Sequence, residues 1–233
     1  MAELRGWMLP GFYQSAEDEL NNVLRSVGVC DSSHYGKIDV KGKEIDKFLE
    51  KNLSSGLVAR KPGEVRLSSS TLEGNENGAA IIYVCRLTRE HALLVTQPFQ
   101  ETVPVLGIGE GLLGFREGIN LTNLSSTLAG FSLAGPSSEN VLRKLVEVDL
   151  SSSTGAGRPF CLEAGLAKVH SIIVRSDVEF SGQGVPSFDF YCGRDNAEYI
   201  WDALMEAGHE FGIAPFGLEA HDRLLGARSA GEK

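Results

Sequence analysis

SFDFYCGRDNAEYIWDALMEAGHEFGIAPFGLEAHD, Ser187 to Asp222, is the stretch whose reading decides the fold. Phe188, Phe190 and Cys192 alternate with Ser187, Asp189 and Tyr191, a period of two that predicts a half-buried strand. Its apolar residues frame one acid, Asp189. A helix is predicted from Asp195, where Asp195 and Glu198 have the spacing of a capping box. Ala197, Ile200, Trp201 and Leu204 follow at i, i+3, i+4 and i+7, an apolar stripe that faces a core. Gly208 predicts the end of that helix. Gly212, Pro215 and Gly217 then break the chain before a last short segment.

Upstream, strands are predicted over 162–169 and 171–174, with a Gly-rich turn over 177–186. Within 124–134, Phe131 and Leu133 alternate with Ser132 and Ala134, and Gly135-Pro136 opens a helix whose face is Val141, Leu142 and Leu145. Proline suits a first helical position because its missing N–H has no partner there. In the first half, an aromatic lead-in over 7–13 precedes a helix capped by Ser15, with Leu20, Val23, Leu24 and Val27 as its stripe. A strand containing Ile38 and Val40 ends at Gly42, and a helix with Ile45, Phe48 and Leu49 follows. The segments 79–87 and 91–96 read as a hairpin of buried strands turning at Arg89 and Glu90. GIGEGLLG, from Gly107, reads as a flexible connection, because no clear strand precedes it and no Lys-Ser/Thr follows.

The chain also echoes itself. KIDVKGKEIDKFLEK from Lys37 and GFSLAGPSSENVLRK from Gly130 superpose without a gap. Ile38 matches Phe131, Val40 matches Leu133, Gly42 matches Gly135, and Phe48-Leu49 matches Val141-Leu142. Each copy is strand, glycine, helix. The echo predicts a duplicated α+β unit with antiparallel sheets, its halves spanning about 28–120 and 121–222 of a single domain over 1–233.

The formal charge of −9 argues against a nucleic-acid partner, which needs a basic face. No run of ~18 apolar residues predicts a membrane span, and MAELRGWMLP lacks the apolar segment of a signal peptide. Cys30, Cys85, Cys161 and Cys192 are widely spaced, with no CxxC and no zinc spacing, so no metal site is expected. They read as reduced thiols of a cytoplasmic protein, with Cys85 and Cys192 as small core residues.

Three segments together carry a resemblance: GVCDSSHYGKIDVKG (28–42), LAGPSSENVLRKL (133–145) and the opening stretch. In this order they resemble the glycine-cleavage T-protein (aminomethyltransferase) family. The second half, with LAKVHSIIVRSD before SFDFYC, is also similar to the gamma subunit of heterotetrameric sarcosine oxidase, a relative in the same superfamily. The resemblance implies a folate-binding domain of two pseudo-repeated halves around a tetrahydrofolate cavity. The family's C-terminal barrel would follow the GLEAHD stretch, and this chain ends at Lys233, so the folate-binding domain alone is expected. The KGCYxGQE motif of a third branch, serving iron–sulfur protein maturation, does not occur.

The resemblance also assigns residues. Asp189 stands where the family has a Glu that binds the pterin ring. A carboxylate can accept from the ring N–H and the exocyclic amine together, although Asp is one methylene shorter. The alternative for Asp189 is an outward-facing, solvated strand acid. His221 replaces the family's folate-holding Arg and lacks its fixed charge and five-donor fork. Tyr35 is placed to line the cavity, and Tyr83 and Tyr191 to stack on a pterin face, with core or half-buried packing, the commoner fate of strand tyrosines, as the alternative. His34 reads as a structural residue whose ring nitrogens bond loop backbone. The family's catalytic acid pair falls on Ala80 and Ile81, neither of which titrates, and Glu76 lies four residues earlier in a loop. No catalytic residue is therefore assigned. Two functions follow from the resemblance. One is a tetrahydrofolate-binding aminomethyl or methyl transferase component of one-carbon metabolism, acting with a partner chain or as a homo-oligomer. The other is a non-catalytic subunit packed against a larger oxidase chain.

Overall fold

A computed structural model of the chain describes residues 1–4, 6–53, 59–70, 80–96, 114–116, 118–148 and 159–226. The described elements are, in order, β1 (Ala2–Leu4), β2 (Trp7–Leu9), α1 (Ala16–Arg25), β3 (Gly28–Asp31), β4 (Gly36–Gly42), α2 (Ile45–Asn52), β5 (Val65–Ser70), β6 (Ala80–Thr88), β7 (His91–Thr96), β8 (Gly114–Arg116) and β9 (Ile119–Asn123). There follow β10 (Leu128–Ala134), α3 (Ser138–Leu145), β11 (Phe160–Leu166), β12 (Val169–Arg175), β13 (Val178–Phe180), β14 (Gln183–Val185), β15 (Ser187–Gly193), α4 (Ala197–Gly208), β16 (Ala214–Pro215) and α5 (Leu218–Leu224). The described residues form two compact units, one from Met1–Ser32, Ala129–Arg158 and Glu163–Lys233, the other from Ser33–Leu128 and Pro159–Leu162.

Each unit carries an open six-stranded sheet. The order is β11-β12-β15-β10-β3-β16 in the first, which β11 enters from Glu163, and β5-β6-β7-β4-β9-β8 in the second. The pairs β12–β15, β10–β3, β4–β7, β4–β9, β5–β6 and β6–β7 are antiparallel, and only the two-residue β16 is described running parallel to its neighbour. Neither sheet closes into a barrel among the described residues. The succession β4, α2, β5, β6, β7 is repeated as β10, α3, β11, β12, β15, and each strand takes the same place in its sheet. The fifth place is exchanged. β3, which precedes β4 in sequence, pairs with β10, whereas β9, which precedes β10, pairs with β4.

The two copies share their joints. Gly42 has φ +149 and Gly135 has φ +125. A Cβ on Gly42 would meet the Gly118 carbonyl oxygen at 2.0 Å, and one on Gly135 would meet those of Ser26 and Val23 at 2.5 Å. Only glycine tolerates both the backbone angle and the approach. Three residues later α2 and α3 begin, each eight residues long, after cap residues Glu44 (φ −93, ψ 18) and Ser137 (φ −93, ψ 1) that make no side-chain cap bond. Pro136 therefore sits in the turn before α3 and not at its first helical position, because the chain must first leave the Gly135 joint. In the second unit Ile38, Val40, Ile45, Leu49, Ile82, Val84 and Leu94 fill the core. In the first, Cys30 and Ala134 of the sheet pack with Val23 of α1 and with Phe216, Ala220 and Leu224. The Phe131 ring lies 6.0 Å from that of Trp201 on α4.

Helices thus meet both faces of the first sheet, which corrects the expectation for the opening strand. β15 is not half-buried: Ser187 (3% exposed) and Tyr191 (5%) are as enclosed as Phe188 and Phe190. The capping box does not form either. Asp195 lies in a 3₁₀ turn, Arg194–Asn196, and Asn196 makes no side-chain cap bond to α4. The apolar stripe does form, with Ile200 and Leu204 fully buried, and α4 ends at Gly208 as expected, running on into a 3₁₀ turn that a left-handed Gly212 closes. Ser15 caps α1 as expected, its Oγ accepting from the Asp18 amide at 3.1 Å. The Gly-rich stretch 177–186 is no plain turn but the hairpin β13–β14, whose Ser181 and Gly182 both have positive φ. Gly107 to Leu113 and Glu76 lie outside the described residues.

Candidate functional site

Asp189 occupies the middle of β15, opposite Val174 of β12. It is held from both flanking strands. Ser176, just past β12, donates its hydroxyl to Asp189 Oδ2 at 3.0 Å, and the Ser132 hydroxyl of β10 donates to the same carboxylate. The side chain is half-buried. Burial raises the pKa of its carboxyl above the usual range, against the opposing pull of the two hydroxyls. The cation of the neighbouring strand does not neutralise it. Arg175 bonds both oxygens of Asp177 (2.9 and 3.1 Å), reaches Glu139 at 3.5 Å, and stacks 5.3 Å from the centre of Phe188. Asp189 is therefore a carboxyl acceptor with neutral hydroxyl supports, not the outward solvated acid offered as its alternative.

A polar row continues across the sheet, because Ser132 pairs with Cys30 of β3. The Cys30 thiol is pushed well up, first by burial and then by Asp31, Asp222, Glu19 and Asp189. It stays protonated and is no nucleophile. Tyr191, two residues along β15 from Asp189, is buried opposite Ile172, so its ring is chiefly a core surface. His221 on α5 is buried as well, its ring 5.9 Å from that of Phe216.

Sequence reasoning misses two residues of this unit. Glu19 is a buried carboxylate that accepts from the amides of Tyr13 (2.5 Å), Gln14 (2.7 Å) and Gly217 (2.8 Å). It thereby ties the loop before α1 to the start of α5. A signal for it exists: Ala16, Glu19 and Val23 lie at i, i+3 and i+7, an acid on the buried stripe of α1. Tyr13, on the tied loop, has its phenol pKa raised by burial and then by Cys30, Asp31 and Glu19. No periodicity reveals that one.

The second unit holds the other candidates. Tyr35 is half-buried, edge-on to His34 with ring centres 4.9 Å apart. His34 is buried, and its Nδ1 has no hydrogen-bond partner among the described residues. This corrects the expectation that its ring nitrogens bond loop backbone. Burial and the nearby Lys37 lower the pKa of His34 to about 4, so the ring is neutral. Tyr83 is half-buried between Leu67 of β5 and Val95 of β7. Lys37 is fully buried and donates to the carbonyls of Ser33 (2.7 Å), Leu128 (3.1 Å) and Ser125 (3.3 Å). Asp39 pairs with His91 (2.5 Å) and Lys41 (2.8 Å). Ala80 and Ile81 begin β6 and bring no titratable group there. All four cysteines are free and buried, and among the described residues no cluster of His, Cys, Asp and Glu has the makings of a metal site. No described helix is long and apolar enough to cross a membrane.

Of the five site candidates, Asp189, Tyr191 and His221 fall in the first unit, and Tyr35 and Tyr83 in the second. The structure places Asp189 and Tyr191 on one strand.

Comparison with known proteins gives a family. The model of the GCVT N-terminal domain matches residues 1–225. An aminomethyltransferase of Anoxybacillus flavithermus is 31% identical over 221 residues, 94% of this chain and 57% of its own length. That of Bacteroides thetaiotaomicron is 32% identical over 227 residues, 96% of this chain and 59% of its own. The chain therefore spans little more than half the length of these relatives. Among solved structures, glycine cleavage system aminomethyltransferase T from Bartonella henselae superposes with a TM-score of 0.73 at 20% identity, over 96% of this chain and 57% of that one. A chain of heterotetrameric sarcosine oxidase from Corynebacterium sp. U-96 does so at 0.60 and 19% identity, over 85% of this chain and 93% of that one. At such identities the two structures show the fold alone. The family model and the curated relatives go further: the chain belongs to the aminomethyltransferase family, through its GCVT N-terminal domain.

Proposed function

We propose that this protein binds tetrahydrofolate and serves aminomethyl or methyl transfer in one-carbon metabolism together with a partner chain. The observation that carries the reading is Asp189, a carboxylate set into β15 with hydroxyl supports and no cation paired to it among the described residues. Such a group accepts a paired N–H donor edge, which a pterin presents through its ring N–H and exocyclic amine. Tetrahydrofolate, when bound, would supply the nitrogen that takes up the one-carbon unit. Asp189 would fix the ring, and Tyr191, two residues along the same strand, would contribute apolar surface. His221, buried against Phe216, offers no guanidinium fork for a carboxylated tail. Free buried cysteines fit a cytoplasmic setting.

A second reading, a non-catalytic subunit of a larger oxidase assembly, is favoured by one observation. Ala80 and Ile81 stand where the resemblance places the catalytic acids. The sarcosine oxidase chain of similar fold belongs to a heterotetramer, which supports looking for a partner.

Titration calorimetry with tetrahydrofolate tests the first reading. Saturable heat is expected, with its loss in Asp189→Ala. No heat at about 1 mM ligand overturns it. Purification from the native source separates the two readings: a larger oxidase chain travelling with the protein favours the subunit, and a monomer with folate-dependent turnover excludes it.

A further inference from the structure

Asp189 is supported in a way that its strand position does not require. Its two hydroxyl donors come from opposite sides, Ser132 on β10 and Ser176 beyond β12. An ionised carboxylate has about four lone-pair positions, so two donors leave about two. Hydroxyls donate without adding charge, and the guanidinium nearest in sequence, Arg175, is bound to Asp177 and Glu139. A structural ion pair would have used that Arg. Asp39, in the second unit, is by contrast paired with Lys41 and hydrogen-bonded by His91.

We propose that Ser132 and Ser176 are positioning residues that hold the Asp189 carboxylate in one orientation, with its remaining lone pairs presented to a ligand's paired N–H donors. The ligand class is a neutral heterocycle with an amidine-like edge, an N–H beside an exocyclic amine. This rests on the reading of Asp189 as the ligand contact. The hydroxyls also favour the charged form against the burial that opposes it. Ligand binding therefore depends on them through protonation as well as through geometry.

Cys30 lies across β10 from Asp189, beyond Ser132, and Tyr191 lies along the Asp189 strand. Glu19 of α1, Asp31 of β3 and Asp222 next to His221 on α5 act on the Cys30 thiol. Cys30 is protonated at neutral pH, and Asp222 is itself raised by burial, so the titration of Asp189 is read at its own side-chain carbon.

The test follows the Asp189 side-chain carbon by NMR across pH on ligand-free full-length protein, its resonance assigned by its absence in Asp189→Asn. Wild type is compared with Ser132→Ala, Ser176→Ala and Ser176→Thr. The titration midpoint is expected to move upward in each Ala variant and to return in Ser176→Thr, which restores a hydroxyl. Ser176 is half-buried, so its variants keep the test open should Ser132→Ala misfold. Calorimetry with tetrahydrofolate is run beside it. Affinity is expected to fall about tenfold in Ser176→Ala, and more as the pH is lowered. An unmoved midpoint in both Ala variants overturns the proposal even where wild type binds folate. Moved midpoints in a protein that binds no folate uphold the positioning role and remove the pterin reading instead.

Discussion

The segments β4–Gly42–α2 and β10–Gly135–α3 share a left-handed glycine joint and an eight-residue helix, and they handle charge in opposite ways. Position 39 in the first is Asp, and the matching position 132 in the second is Ser. Asp39 receives hydrogen bonds from His91 and Lys41. Burial works against its ionisation, but those partners outweigh it and bring the pKa of the carboxyl below the usual range. Across from Ser132 the carboxylate belongs to the neighbouring strand, as Asp189, where burial prevails and the pKa is raised. A carboxylate closed off by Lys41 and His91 is a structural tie. One propped by hydroxyls alone has no charged partner and keeps lone pairs for something else. The same succession of elements occurs twice, and side-chain chemistry distinguishes the copies.

The frame itself is the first thing to break. Gly42→Ala and Gly135→Ala should each destabilise by about 3–5 kcal/mol in denaturant titrations, because the added Cβ meets backbone that cannot swing away. If one is tolerated and the other is not, the two joints are not equivalent and the comparison fails. Next comes the position that departs most, Lys37 against Gly130. Lys37→Met removes a buried ammonium and leaves the Ser33, Ser125 and Leu128 carbonyls short of a donor. A loss of about 2–4 kcal/mol is expected by the same measurement. A loss below about 0.5 kcal/mol would show that water reaches those carbonyls and that the lysine is no tie.

The acids give a smaller but more discriminating effect. The pKa of Asp39 is depressed, so its contribution is present at neutral pH and is lost as the pH falls through its folded-state value, below the ordinary ~3.9. The pKa of Asp189 is raised, so its contribution is full below ~3.9 and is lost as the pH rises through the raised value. At neutral pH, Asp39→Asn should therefore cost about 1 kcal/mol, after solvent screening of a partly open pair. Asp189→Asn should cost nothing or stabilise by less than about 1 kcal/mol. Urea midpoints between about pH 3 and pH 7 check this. Shifts of the same sign in both variants at neutral pH would end the contrast.

The frame is legible in the sequence because it is written in apolar spacing and glycine. Ile38, Val40 and Gly42 align with Phe131, Leu133 and Gly135 by spacing alone, and both units fold as that match requires. The strand exchange is not legible. Nothing in GVCD or INLTN says that each pairs with the strand of the other copy, since register is set by long-range packing. The burial of both faces of β15 is hidden for the same reason, because alternation along one strand does not report what lies beyond its polar side. Asp189 stands out as an acid among aromatics, whereas Ser132 and Ser176 do not. A serine's role as donor depends on which strand lies beside it.

The exchange of β3 and β9 also bears on how the protein is made. β3 emerges from the ribosome early, yet its partner β10 begins roughly 100 residues later, at Leu128. At ~5–20 residues per second, that leaves β3 without its sheet for roughly 5–20 s. β4 waits nearly as long for β9, although β7 reaches it sooner. During translation the first unit is thus the late one, with an apolar strand, Gly28 to Asp31, held open while the second is completed.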